Sequence, residues 1–424
     1  MTSSIAIPVL EDLIWNNASR SFQSHAWDKA YRECLASHHY YDAIIDNADF
    51  VPDYLHYMPI DRYLINIIIP CVTIFGLICN IAFLFVVWRL QRMRTATNFY
   101  LANLALADIF FLITGSSNAV ISYLSSPVRG ADHLGKSGCK LSMVMSFAWY
   151  YASVAIVTLV SIERYYAVLY PLKHRLMSTK RRALLIILSI WLVSFVLGLT
   201  HIRIVDRYVS YCIIWPTNEK YVDWPPLTSF CQPSPVWIYT AVHVFMIFVY
   251  LTLYLINFIL CVIIIRTIHR RSNADYVTHS TRNARLSNQV TRMLIGNCTV
   301  FFICQTPVRA FALFGVLNMY RKQLNITANP DPNMMSLFLW ICEILLYLNS
   351  SVNPVIYNIG SERYRTAFRE TYSCNSSPIH VISQHPVVKR QVTNTTSTFQ
   401  LDLLNGINVT EYAPVNIVYF ETSL

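Results

Sequence analysis

Seven stretches of this chain are too long and too apolar to be accommodated in a water-soluble core: Leu64–Trp88, Phe99–Leu124, Gly138–Val168, Ala183–Ile202, Val236–Arg266, Gln289–Leu317 and Ser336–Asn358. The hydrocarbon core of a bilayer is about 30 Å thick, and a helix crosses it in about 20 residues. Each run must be helical, because a backbone polar group left without a partner in lipid costs several kcal/mol. A membrane barrel would instead need alternation over about ten residues per strand, and the runs do not alternate. The expected fold class is therefore all-α, a seven-transmembrane helix bundle. Composition agrees: of 424 residues, 54% are hydrophobic and 13% charged, where a soluble domain carries about 25% charged residues.

The charges between the runs orient the chain. The first loop carries Arg89, Arg92 and Arg94, the third Lys173, Arg175 and Lys180, and the fifth Arg266, Arg270, Arg282 and Arg285. The positive-inside rule puts these loops in the cytoplasm and the N-terminus outside. The net charge of +10 is thus divided among loops rather than gathered on one soluble face, so nucleic acid is not an expected partner. The acid-rich residues 1–62 form an extracellular tail, residues 63–360 the bundle, and residues 375–424 a mobile cytoplasmic tail. Without a basic start followed by an apolar run, the first membrane helix is expected to serve as its own insertion signal. Asn17-Ala18-Ser19 is a glycosylation acceptor pattern. Residues 361–374 read as a short amphipathic eighth helix. Tyr364 and Phe368 share one face, with Arg363, Arg365 and Arg369 available for headgroups. Cys374 then lies where palmitoylation is expected.

Four features recur in order along the spans. The second contains Leu104-Ala105-Leu106-Ala107-Asp108. The third begins near Cys139 and ends with Glu163-Arg164-Tyr165. The sixth contains Phe301, Cys304 and Pro307, and the seventh Asn353-Pro354-Val355-Ile356-Tyr357. In this order and spacing the chain resembles the rhodopsin-like G-protein-coupled receptor family over roughly residues 60–374. Asp108 is constrained by physics as well, since a lone carboxylate at mid-membrane must face partners or water.

The resemblance carries expectations. Ser153, Asn349 and Asn353 should converge on Asp108, an oxygen set suited to an allosteric sodium ion; no other metal and no cofactor is expected, and a structural hydrogen-bonded Asp is the alternative. Glu163, Arg164 and Tyr165, with Asn353, Pro354 and Tyr357, should form the switch that engages a heterotrimeric G protein, with arrestin as a further partner. Proline removes a backbone donor and lets its helix bend. Four outer cysteines, Cys34, Cys139, Cys212 and Cys231, allow three pairings. The family's bridge from the third helix to the second outer loop favours Cys139 with Cys231, leaving Cys34 with Cys212.

Ligand class follows by exclusion and by likeness. Where amine receptors carry Asp in the third helix this chain has Ser146, and where opsins carry the Schiff-base Lys it has Tyr347. The stretches 346–354 and 363–369 resemble the peptide-binding branch, near thyrotropin-releasing-hormone, neuromedin-U and capa-like neuropeptide receptors. That implies an extracellular peptide ligand, with a lipid or other non-peptide ligand as the alternative. Arg309 and Glu343 are ionisable groups in apolar spans, and such groups mark functional sites. With Ser146, Phe147, Tyr151, Gln305 and Tyr347 they make the expected pocket, in which Arg309 and Glu343 either bond each other or receive the ligand. Gln305 replaces the family's usual Trp, and the fifth helix lacks its usual proline. A transporter or channel would require repeat symmetry, which is absent, and no set of residues at catalytic spacing suggests an enzyme. The final Glu421-Thr422-Ser423-Leu424 resembles a PDZ-domain ligand through Thr422 and Leu424.

Overall fold

The computed structural model describes residues 43–46 and 55–373, except residues 130, 132, 178, 204, 216–218, 222, 234, 276–280 and 324–330. Asn17, Cys34, Cys374, Thr422 and Leu424 lie outside the described residues. Among the described residues, seven helices are long and apolar enough to cross a membrane. They are α1 (Ile69–Arg89), α2 (Ala96–Ser125), α3 (Gly135–Leu169), α4 (Lys180–Thr200), α5 (Val236–Asp275), α6 (Thr281–Gln323) and α7 (Pro332–Gly360). A helical turn, Pro59–Tyr63, and a π turn, Leu64–Ile68, lead into α1 without a break. An eighth helix, α8 (Glu362–Tyr372), follows α7 directly.

Every apolar run read from the sequence lies on one of these spans. The longest overruns are in α5 and α6, whose residues 267–275 and 281–288 continue as helix beyond the apolar run. Hydropathy falls in those polar flanks while the backbone ladder goes on. Local chemistry fixes other ends: Thr95 and Thr179 accept from the backbone N–H of Asn98 and Arg182, capping α2 and α4. Pro307 and Pro354 lie inside α6 and α7, which continue through them.

The third helix is the hub. Of its most apolar stretch 67% is buried inside the protein, against 22% for α4 and α5, so α3 is enclosed by its neighbours while α4 and α5 show most of their surface to lipid. The α3–α4 crossing depends on Gly198: a Cβ there would sit 2.8 Å from the Val144 carbonyl oxygen. Leu192, Val193 and Phe248 are large, apolar and exposed, as a lipid-facing surface requires.

One element departs from the all-helical expectation. At one end of the bundle lies a three-stranded sheet, β1 (Ala43–Asp46), β2 (Val205–Ile214) and β3 (Leu227–Pro233), in the order β1-β2-β3. The β2–β3 pairing is antiparallel, with Tyr208 opposite Cys231; β1 runs parallel to β2, with Ile44 opposite Cys212. Leu55, Val128, Ile213 and Phe230 form a separate small core at this end. The opposite end carries the arginine-rich loops and a short loop helix, Pro171–Met177.

Candidate functional site

The sheet end opens into a cavity of about 1000 Å³, its mouth included. Ser146, Glu343 and Tyr347 line it, as expected, together with Tyr57, Arg129 and Trp340. The Cys139–Cys231 disulfide ties the start of α3 to β3 at its wall, the pairing favoured by the family resemblance. Cys212 is also disulfide-bonded; Cys34, its expected partner, is outside the described residues.

The rim holds a pair that the sequence reading missed. Arg129 Nη2 donates to Asp61 Oδ2 at 2.5 Å, with Asp61 fully buried. The Arg129 backbone N–H donates to the Leu55 carbonyl, and its guanidinium lies 5.7 Å from the Tyr57 ring centroid. The segment before α1 is thereby fastened to the loop after α2. Asp61 Oδ1 and Arg129 Nε have no hydrogen-bond partner.

The other expected pocket residues divide into two groups. Phe147 stacks on His201, with centroids 3.9 Å apart, and the Tyr151 hydroxyl lies 3.5 Å from His201 Nε2. Arg309 faces a second, smaller chamber, about 220 Å³ with its mouth included, that it shares with Tyr150, Tyr151 and Tyr250. Gln305 is buried, with its side-chain oxygen unpartnered. Arg309 and Glu343 line different cavities and form no ion pair with each other. The direct bond weighed from the sequence is absent because the two side chains leave their helices toward separate spaces.

Deeper in the bundle, Asp108 is fully buried. Ser153 Oγ donates to its Oδ1 at 2.9 Å, and Asn353 Nδ2 to its Oδ2 at 2.8 Å. Three helices, α2, α3 and α7, thus meet on one carboxylate. Asn349 is buried nearby in sequence to this cluster but does not hydrogen-bond to Asp108.

At the arginine-rich end, Glu163 gathers three neighbours. Thr97 Oγ1 donates to it at 2.6 Å, His174 Nε2 lies at 2.8 Å, and Arg164 Nε at 3.5 Å. Arg164 is held beside its acidic neighbour, and the short loop helix is pinned to α3 through His174. Tyr165 packs with Ile264, Ile268 and Cys298 between α5 and α6. Tyr357 is buried edge-on against Phe83, 5.6 Å between centroids, and beside Tyr364 of α8. Two arginines of α8 are not free for headgroups: Arg365 donates to the Asn358 and Ile359 carbonyls and Arg363 to the Arg92 carbonyl. The last carbonyls of α7 lack helical partners, and Arg365 satisfies two of them.

Other buried polar residues tie the frame and were legible by the same rule that drew attention to Asp108. Asn80 donates to the Gly76 and Ser350 carbonyls, joining α1 to α7. Asn257 donates to Thr158 Oγ1 at 2.8 Å, joining α5 to α3. A lone amide in an apolar run is costly unless bonded, so each signals a helix contact.

Comparison with known proteins agrees with this arrangement. Residues 79–357 match the family described as 7 transmembrane receptor (rhodopsin family). Similar proteins include the thyrotropin-releasing hormone receptor of Mus musculus, 27% identical over 74% of this chain and 79% of that protein. Neuromedin-U receptor 2 of Mus musculus is 30% identical over 73% of this chain and 75% of its own length. The growth hormone secretagogue receptor type 1 of Homo sapiens is 28% identical over 70% and 78%.

Proposed function

The chain belongs to the rhodopsin family of seven-transmembrane receptors, which makes it a G-protein-coupled receptor, and we propose that an extracellular peptide entering the sheet-end cavity opens it. The supporting observation is the cavity itself. It opens beside Cys231 of β3 and is lined by Arg129, already paired with Asp61, and by the acidic Glu343, among aromatic rings. A peptide presents carbonyls, amide N–H groups and charged termini together, and this wall answers each. The names of the similar receptors for thyrotropin-releasing hormone and neuromedin-U point the same way.

In this reading the N-terminus and sheet are outside and the arginine-rich loops are in the cytoplasm. Bound peptide shifts the bundle toward a state in which the inner end of α6 moves outward. Arg164, released from Glu163, then donates to an inserted helix of the G protein. Pro307 and Pro354 provide the bends, and Tyr357 leaves Phe83 for the space opened at the inner mouth. Nucleotide exchange takes place on the G protein.

A sodium ion fits part of the Asp108 site. The Asp108 carboxylate and the Ser153 hydroxyl supply oxygens at hydrogen-bond distance from each other. Asn353 presents its NH2 group to Asp108, so it joins an ion's shell only after its amide turns. A bound sodium ion would supply a positive charge to Asp108 and hold α2, α3 and α7 in the closed arrangement. Arrestin at the arginine-rich end, a PDZ-domain protein on Thr422 and Leu424, glycosylation at Asn17 and palmitoylation at Cys374 complete the proposal.

The experiment is a screen of amidated neuropeptides on cells carrying calcium and cyclic-AMP reporters, run in parallel on the native chain and on Arg164→Ala. A peptide that drives the reporters through the native chain and not through Arg164→Ala supports the reading. Activation only by lipids, or a peptide response indifferent to Arg164, contradicts it.

A further inference from the structure

The Arg309 chamber has a property that the peptide reading does not use. Arg309 is 8% exposed. Among the described residues, no ion pair involves it. Its charge is felt by the phenols of Tyr150, Tyr151 and Tyr250 and by His201. A guanidinium keeps its proton even when buried, and an uncompensated buried charge is expensive. Two rings give partial relief: the Arg309 guanidinium carbon lies 4.6 Å from the Tyr150 centroid and 5.4 Å from that of Tyr250.

What remains open is a set of donors. Among the described residues, buried Arg309 Nε and Nη2 and the Tyr150 and Tyr250 hydroxyls make no hydrogen bond of normal geometry, although the Tyr150 hydroxyl lies beside the guanidinium. These four atoms belong to three residues that line one small chamber, about 220 Å³ with its open mouth included and roomy enough inside for about one water-sized guest. Of the other walls, Val154, Val249 and Leu253 are hydrocarbon, Met246 adds only a weakly accepting thioether, and the Tyr151 hydroxyl faces His201. A space with one fixed positive charge, several N–H and O–H donors and apolar walls is complementary to a small anion.

We propose that this chamber is a binding site for a small monovalent anion, a halide, which serves as the counter-ion of Arg309 between α3, α5 and α6. Arg309 supplies charge and two N–H donors, and Tyr150 and Tyr250 supply hydroxyl donors from either side. The site is independent of peptide in the outer cavity. Because it joins three helices, occupancy stabilises the arrangement described here.

The test uses the full-length receptor purified without peptide. Thermal unfolding is followed in sodium chloride, sodium bromide and sodium gluconate at equal concentration, so that sodium at Asp108 is constant. Chloride and bromide should raise the midpoint above the gluconate value by ~3 °C, by mass action on the folded state. Arg309→Gln should abolish the difference, and Tyr250→Phe should shift the halide titration several-fold to higher concentration without removing it. Equal midpoints in halide and gluconate for the native chain would overturn the proposal. So would a halide effect retained in full by Arg309→Gln, which would place the anion elsewhere. Should Arg309→Gln not fold, an unshifted titration in Tyr250→Phe gives the same negative answer.

Discussion

Asp108 and Arg309 are both charged side chains carried by apolar helices and buried in one bundle, yet their surroundings are opposite. Both oxygens of Asp108 are met, by Ser153 and Asn353. Among the described residues two nitrogens of Arg309 have no hydrogen-bond partner, and neither have the Tyr150 and Tyr250 hydroxyls beside it. The first centre is closed, and it holds α2, α3 and α7 together. The second is open, and its groups are arranged for something that arrives. On the proposed reading, the first belongs to the part of a receptor that transmits a change and the second lies beside the part that receives it.

Substitution breaks the comparison most sharply through the sign of its effect on stability. Asn353→Leu leaves the Asp108 carboxylate short of a bond and should destabilise the chain by about 3 kcal/mol, read as thermal unfolding in detergent. Arg309→Met removes a charge without a protein partner. In gluconate it should be neutral or stabilising by about 1 kcal/mol. Equal destabilisation by the two would erase the distinction.

Glu343 tests whether the open half acts on ligand. Glu343→Gln should weaken agonist potency roughly 30-fold, the ~2 kcal/mol of a charge-assisted hydrogen bond, with surface expression unchanged by antibody staining. Potency equal to that of the native chain would remove Glu343 from the contact. A smaller effect sharpens the closed half: sodium should lower agonist affinity about fivefold in the native chain and leave Asp108→Asn indifferent, measured by radioligand competition. The smallest is at the arginine-rich end, where His174→Phe takes one partner from Glu163. Basal G-protein signalling should rise about twofold, since a single half-buried hydrogen bond is worth roughly 0.5 kcal/mol net.

The two centres were also unequally legible. Asp108, Ser153 and Asn353 were readable because a carboxylate in an apolar run demands partners and a family motif says where to seek them. Arg309 stood out for the same reason, but its surroundings did not. Tyr150 and Tyr250 disturb no hydropathy pattern, and nothing in spacing alone says which of many aromatic side chains turns toward a guanidinium. The expected Arg309–Glu343 bond failed because helical spacing gives the face of a residue and not the cavity that its side chain enters. The Asp61–Arg129 latch joins positions 68 residues apart in chain segments that periodicity does not describe. Arg363 and Arg365 read as headgroup ligands from spacing, but the Arg92 carbonyl takes the first and the carbonyls at the end of α7 the second.

All of these roles presuppose that the Arg309 half of the bundle faces the outside of the cell and the Arg164 half the cytosol. Epitope tags at the two termini, probed with antibody on intact and then permeabilised cells, measure this directly. The N-terminal tag should stain on intact cells and the C-terminal tag only after permeabilisation. Staining of both tags on intact cells would contradict an odd number of crossings, and the reverse pattern would exchange the receiving and transmitting ends.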